Sequence, residues 1–267
     1  MVSLLSPSEL ESSLPKYLSP SSISTFQQCP LRYKYTRIDK MVDPPTEATT
    51  MGNFVHETLE ALHNEDPDLR TKQHAAQLMR NLWDAKWSEL AFDVLHGDEK
   101  ALHEFRWKSY WCIENYFELE NPAEVFLEGI EHAIEDVIDV DGTQVVVKGF
   151  VDRWNFCDDG SINVSDYKTG KTPRPQWVDD KFQQLQIYAV FLQKQLEAPV
   201  KSLELLYLKD GTRYQKEVTQ EDLDETTETI VAVRKSIDLF YEQEKFPARK
   251  SKLCDWCAQK SICPAWK

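Results

Sequence analysis

The stretch from Gly149 to Lys171, GFVDRWNFCDDGSINVSDYKTGK, limits what this chain can fold into more than any other. Two runs rich in Val, Ile and aromatic residues, 144–156 and 161–168, flank Asp159-Gly160, and a glycine there reaches positive φ cheaply enough for a tight reversal. The pattern predicts neighbouring antiparallel strands, with Asp152 in one and Asp166 in the other. Such strands lie about 4.8 Å apart, so carboxylates on a shared face converge on one cation. Lys168, two residues beyond Asp166, falls on the same face of its strand. A D-x-K triplet alone is common on surface hairpins. Here it ends an apolar strand and precedes a Thr-Gly-Lys turn into a helix. Hard oxygen ligands suit Mg²⁺ or Mn²⁺. A lysine beside them positions water and offsets negative charge at a phosphate.

Around this hairpin the periodicity predicts an α/β protein. Residues 1–18 read as a loose lead-in. Ser19-Pro20 opens a short helix with Ile23 and Phe26 inward, closed by Cys29-Pro30. Residues 41–50 read as a linker, and a helix runs from Gly52. Helical patterns follow over 70–92 and 98–119. Strands are expected at 124–130, 133–140, 144–156 and 161–168, a helix over 176–196, strands at 203–208 and 213–218, and a last helix opened by a Thr219–Asp222 capping box.

With 45 acidic against 31 basic residues, the chain carries a net charge of −14. That balance argues against a protein that coats nucleic acid, but not against a local basic track. No apolar run approaches the roughly 20 residues needed to span a bilayer. The first 25 residues lack a signal-peptide pattern, so a cytoplasmic location is expected. Six cysteines in such a setting point to metal ligands or core residues rather than disulfides. Cys112 and Cys157 are isolated and read as core. Cys254, Cys257 and Cys263 form a C-x₂-C-x₅-C cluster that lacks a fourth ligand.

The motifs together resemble the PD-(D/E)XK nuclease superfamily, in its RecB-like exonuclease branch. The residues that carry the resemblance are G-F-V-D at 149–152, V-S-D-Y-K-T-G-K at 164–171, and Q-x-x-x-Y at Gln184 and Tyr188. Gly52 and His56 match the branch's upstream G-x-x-x-H. The literal Pro-Asp is absent, since Val151 precedes Asp152. The resemblance implies a restriction-endonuclease-like mixed sheet core with an N-terminal helical insertion, in a single nuclease domain over 19–267. Its helical part would be 52–120, its catalytic sheet core 121–220, its closing helix 219–244, and its cysteine region 245–267 with Cys29. The cation would be held by His56, Asp152, Asp166 and the backbone carbonyl of Tyr167. Lys168, Asp166, Asp152, Gln184 and Tyr188 would serve catalysis, and Glu128 matches a family position that carries an acidic residue.

In AddB-type and CRISPR-associated RecB-like nucleases one cysteine precedes the core and three follow it. Cys29, in Cys29-Pro30, and Cys254, Cys257 and Cys263, in Cys263-Pro264, are similar to those ligands of a 4Fe-4S cluster. Chemistry alone leaves Cys₄ zinc open. The implied function is a Mg²⁺- or Mn²⁺-dependent DNA exonuclease or end-processing nuclease of repair, recombination or CRISPR adaptation. DNA ends or single strands would be its substrate, with a helicase or CRISPR-adaptation partner. Arg32, Lys34, Tyr33, Tyr35 and Trp256 are the expected DNA track by proximity. Rival readings are a non-catalytic DNA-end-binding subunit and a zinc-stapled interaction domain.

Overall fold

The structure, a computed structural model, describes residues 14–266. The α-helices are α1 (Pro20–Gln28), α2 (Pro30–Tyr33), α3 (Glu47–His63), α4 (Lys72–Leu82), α5 (Ser88–Val94), α6 (Glu99–Leu119), α7 (Gln183–Leu196) and α8 (Gln220–Glu242). Strands β1 (Gly129–Val140), β2 (Thr143–Phe156), β3 (Ile162–Lys168), β4 (Val200–Tyr207) and β5 (Thr212–Glu217) form one sheet in the order β1-β2-β3-β4-β5. Strands β2 and β3 run antiparallel, β3 and β4 parallel, and β4 and β5 antiparallel. This is a mixed α/β sheet of the restriction-endonuclease-like kind.

The chain divides into two compact units. One joins residues up to Pro44 with Glu135–Lys148 and the segment from Thr227 onward. The other comprises Pro45–Ile134 and Gly149–Thr226. In the first unit, Ser19 caps α1 and Ser22 bonds back to it, with Pro20 at the first helical position where its missing N–H costs nothing. Ile23 is fully buried, and Phe26 packs on Tyr33 and Phe240 at 5.5 and 5.8 Å between ring centroids. Most of the expected loose lead-in lies outside the described residues. Its last residue, Leu18, is not loose: it is fully buried, donates to the Val146 carbonyl and accepts from Lys148 N–H, both at 2.8 Å.

In the second unit, Phe54, Val55, Leu59 and Leu62 of α3 are buried with Phe105, Ile113 and Tyr116 of α6. Helix α3 starts inside the expected linker. Thr46 caps Thr49 N–H at 3.2 Å and Thr49 Oγ1 accepts Thr46 N–H at 3.0 Å. Threonine in place of the usual Glu or Gln hides that capping box from a sequence search. The helix expected over 70–92 is broken by a π-helical turn, Trp83–Trp87. The helix expected from 176 begins at Gln183, because Pro173 and Pro175 interrupt backbone donors and leave short 3₁₀ turns. The expected strand 124–130 is a 3₁₀ turn at Pro122–Glu124 followed by extended chain, and β1 starts only at Gly129. The β1–β2 turn uses Asp141 and Gly142 at φ 51° and 75°, the left-handed pair a two-residue hairpin loop requires.

Candidate active site and cysteine cavity

All parts of the acidic site come from the second unit. The β2–β3 ladder pairs Phe156 with Ile162 through to Arg153 with Ser165, so Asp152 and Asp166 stand at its end. There the Asp152 carboxylate accepts the Tyr167 N–H at 2.9 Å. His56 projects from α3, whose opposite face is buried. Its Nε2 donates to the Tyr167 carbonyl at 2.9 Å, and its Nδ1 lies 3.4 Å from Asp152 Oδ2. Gly52, one helical turn earlier, lets the chain after β3 come close: a Cβ there would stand 3.3 Å from Thr169 Oγ1. One ligand atom each from His56, Glu131 and Asp152 lies within 4.8 Å of the others. Asp166 stands just outside this trio, with Oδ2 2.5 Å from Lys168 Nζ. Lys168 also donates to Gln184 Oε1 at 3.3 Å, and Gln184 Nε2 donates to the Tyr188 hydroxyl at 3.3 Å. Helix spacing i, i+4 on α7 makes that last contact.

No sequence motif singles out Glu131. Glu128, the residue the family pattern indicated, is exposed and outside the trio, while Glu131 adopts φ 44° at the start of β1. The sequence shows acidic residues at 124, 128 and 131 alike, and only the local backbone kink selects one of them.

The electrostatics follow from crowding. Burial alone would lower His56, but Asp152, with help from Asp166 and the Tyr167 carbonyl, pushes it up to about 9. Burial opposes ionisation of Asp152, yet its contact with His56 holds its carboxyl below the usual range. Burial, then the neighbouring Asp152 charge, raises Asp166 to about 6 and Glu131 to about 7. Three carboxyl groups are thus held together with too little positive charge to ionise fully, which is the state a bound cation relieves.

Beneath the site lies a buried polar layer that periodicity could not reveal. Arg153, 3 % exposed, forms a two-pronged pair with Glu120, whose second contact is 2.9 Å. Its guanidinium lies 5.2 Å from the Tyr167 ring and donates to the Tyr167 and Tyr116 hydroxyls at 3.2 and 3.4 Å. Arg213 joins from β5, 3.1 Å from Glu120 and 3.7 Å from Glu204. His63 touches the Tyr116 hydroxyl at 2.5 Å, and burial, then Arg153, lowers its pKa to about 3. Its unfolded-state value is about 6.5. Between these values the unfolded chain binds the proton and the folded one does not, so stability falls as pH drops below about 6.5. From pH 7 to pH 5 this group should cost about 2 kcal/mol. The melting-temperature advantage of wild type over His63→Gln should shrink accordingly across that range; a constant advantage would show that His63 titrates normally.

A sequence profile matches residues 17–264. It is that of the PD-(D/E)XK nuclease superfamily. The chain belongs to that superfamily. It is also similar to the Gene 69 protein of Mycobacterium phage D29, 23 % identical, with 93 % of this chain and 97 % of the phage protein covered. Among solved structures, one from Eubacterium rectale designated "Putative exonuclease" superposes with a TM-score of 0.56. The two are 14 % identical over 96 % of this chain and 92 % of that one, which is a likeness of fold.

Nucleases of this superfamily usually use divalent metal, and the residues of the site fit one. The donor set is an imidazole with carboxylates, and among the described residues the buried Asp166 Oδ2, though in ionic reach of Lys168, receives no aligned hydrogen bond.

The first unit holds a separate feature. Cys29, Cys254, Cys257 and Cys263 line one cavity with Tyr35 and Trp266, and none is in a disulfide. Cys29 Sγ accepts the Arg249 N–H at 3.5 Å, and Cys254 Sγ the Ser251 N–H at 3.4 Å. The expected DNA track fares less well. Tyr33 is fully buried against Phe26 and cannot stack on a base. Arg32 is paired with Asp43 at 2.7 Å and Lys34 with Asp39 at 2.6 Å, so both charges are already answered. Tyr35 faces the cysteine cavity, and Trp256 is 78 % exposed. Cys112 is buried, whereas Cys157, near the β2–β3 turn, is only half-buried.

Proposed function

We propose that the protein is a Mg²⁺- or Mn²⁺-dependent deoxyribonuclease that works from DNA ends. The observation that carries this reading is Lys168, held between Asp166 at 2.5 Å and Gln184 at 3.3 Å beside the His56–Glu131–Asp152 trio. The trio would hold the metal, with Asp166 and the Tyr167 carbonyl completing the shell. When bound, such a cation polarises the scissile phosphate and lowers the pKa of a water on it. The chain's own groups do the positioning. The Tyr167 N–H fixes Asp152, and the His56 ring, which rests between Asp152 and the Tyr167 carbonyl, would give up a proton to offer the cation a ring nitrogen. Lys168 presents its ammonium where negative charge grows on the phosphate and where an attacking water needs orienting. Gln184, itself bonded to Tyr188, keeps that ammonium from swinging to solvent. The designation of the Eubacterium rectale structure supports the exonucleolytic part. End-labelled single- and double-stranded DNA should shorten progressively with Mn²⁺ or Mg²⁺ and stay intact in EDTA; DNA left whole under every metal condition would overturn the reading.

For the first unit we propose a 4Fe-4S cluster held by Cys29, Cys254, Cys257 and Cys263. The support is that all four thiols line one cavity, in the one-plus-three order of the family likeness. Backbone N–H groups directed at two of the sulfurs suit thiolate ligands. Phosphodiester hydrolysis requires no electron, so the role is to tie residues near one end of the chain to residues near the other, limiting the unfolded ensemble as any long-loop closure does. Protein purified without oxygen should carry about four irons with matching sulfide. Cys29→Ala should lose them and melt earlier, as Cys263→Ala does. Zinc without sulfide in wild type would instead support the mononuclear alternative.

A further inference from the structure

On α3, Phe54 and His56 are two residues apart, about 200° around the helix, so they face opposite ways. Phe54 forms the floor of an open cavity of about 400 Å³ lined by α3, α4, α6 and the π-helical turn that opens with Trp83. That volume falls within the range of small-ligand pockets. Trp83, Trp107 and Tyr110 make its walls, Arg80, Arg106 and His103 its charged and polar rim, and no Asp or Glu lines it. In a chain with 45 acidic residues against 31 basic, that is a local reversal of sign. The Arg106 guanidinium rests 5.1 Å from the Trp83 ring, and Arg80 donates to Gln77 at 2.8 Å. Among the described residues neither arginine is paired with a carboxylate. His103 Nε2 accepts the Trp107 indole N–H at 2.9 Å, which leaves its Nδ1–H to donate elsewhere. Trp107 and Trp111 stack at 6.5 Å and are 48 % and 55 % exposed, extending the aromatic surface out of the cavity. The π-helical turn is a further departure from regular helix, of the kind that gathers at functional positions.

We infer that this cavity is a second nucleic-acid contact, which holds an unpaired base between its aromatic walls and the adjoining phosphates on Arg80 and Arg106. Indole and phenol faces stack on any base, and guanidinium forks match phosphate oxygens. A purely apolar ligand would leave two arginines unanswered, and a duplex would not offer a base to stack. The ligand class is therefore single-stranded DNA or RNA of any sequence. The site lies on the far side of α3 from the cation trio, and the inference concerns binding, not cleavage.

The test uses the wild-type chain in EDTA, where no hydrolysis competes. Fluorescein-labelled oligothymidylate and a duplex of equal length are titrated by anisotropy at several salt concentrations. Single strands should bind more tightly than duplex and quench tryptophan fluorescence. Trp107→Ala should weaken single-strand binding about ten-fold, and Trp107→Phe should restore most of it. Arg106→Ala and Arg80→Ala should each flatten the salt dependence by about 0.7 in log–log slope. All three side chains are on the surface, and unchanged melting temperatures establish that the variants fold. Unchanged affinity and slope in these variants would overturn the inference. So would an acidic peptide that competes as well as the oligonucleotide, which would make the surface a protein-docking site. Intact DNA in the cleavage assay with single-strand binding preserved would remove the catalytic reading and leave this one standing.

Discussion

Lys168→Ala is expected to lower metal-dependent DNA cleavage by on the order of 10³-fold, the loss typical of removing a positioned acid–base or charge-stabilising group. Among the described residues the ammonium is the one basic side chain in contact with Asp166, 2.5 Å away, and Gln184 holds it from the other side. Nothing else described at the site can deliver a positive charge from that direction without a metal. Its side chain is 30 % exposed, so truncation leaves no cavity in the core. The melting temperature should therefore change little while the rate collapses. Lys171→Ala is the matched control: Lys171 is exposed three residues on, and its loss should leave the rate within two-fold or so of wild type. Equal degradation by Lys168→Ala and wild type would sink the catalytic assignment, whatever the metal. Gln184→Ala should show a smaller loss of the same kind, since it frees Lys168 without removing it.

Arg153→Met should destabilise the second unit strongly, on the order of 3–5 kcal/mol, because it strands the Glu120 carboxylate in the interior. Glu120 is held below the usual carboxylate range: burial works against its charge, and the hydrogen bonds and charge of Arg153 outweigh burial. Removing Arg153 also withdraws a donor from the Tyr167 and Tyr116 hydroxyls, so three polar groups lose a partner together. For a chain of this size the melting temperature should fall by roughly 10 °C. The double variant Glu120→Met with Arg153→Met removes both charges at once and should recover more than half of the loss, because a buried ion pair is often replaceable by apolar side chains. Arg213, partly exposed and within 3.7 Å of Glu204, keeps a partner in that background. No recovery in the double variant would show that Arg153 acts through Tyr167 rather than through Glu120. Cleavage is expected to suffer in Arg153→Met beyond its effect on folding, since Tyr167 offers both its N–H and its carbonyl to the groups of the site.

These two residues mark the limit of what could be read from the chain. Lys168 is legible because strand alternation and a two-residue spacing alone place it with Asp166. Arg153 is not, although it directly follows Asp152. An arginine in a strand ordinarily turns to solvent. It is buried here only because Glu120, at the end of α6, arrives on that face. That meeting joins positions 33 residues apart in sequence. His63 is a similar case, an unremarkable last-turn histidine until Tyr116 and Arg153 close over it.

The local devices were likewise unequally visible. Ser19-Pro20, Asp141-Gly142 and Asp159-Gly160 announce a cap and two turns by residue type, because backbone stereochemistry allows few alternatives. The start of α3 is hidden because threonine fills both positions of its capping box, and the start of β1 because the run 124–128 looks strand-like without a partner strand. The π-helical turn at Trp83 has no residue signature, since one inserted position changes hydrogen bonding and leaves hydrophobic spacing nearly intact.

By itself, then, the sequence determined the α/β class, the β2–β3 hairpin, the pairing of Asp152 with Asp166 and Lys168, the Gln184–Tyr188 step on α7, and the grouping of the four cysteines through a family likeness. Each depends on short spacings or an ordered set of motifs. Tertiary structure alone decided that Glu131 rather than Glu128 joins the trio, that Tyr33 is core and Arg32 is already paired, and that a buried Arg153–Glu120 layer underlies the site. The physical reason is common to all of these: burial and charge pairing depend on which distant elements pack against a residue, and no local periodicity carries that information.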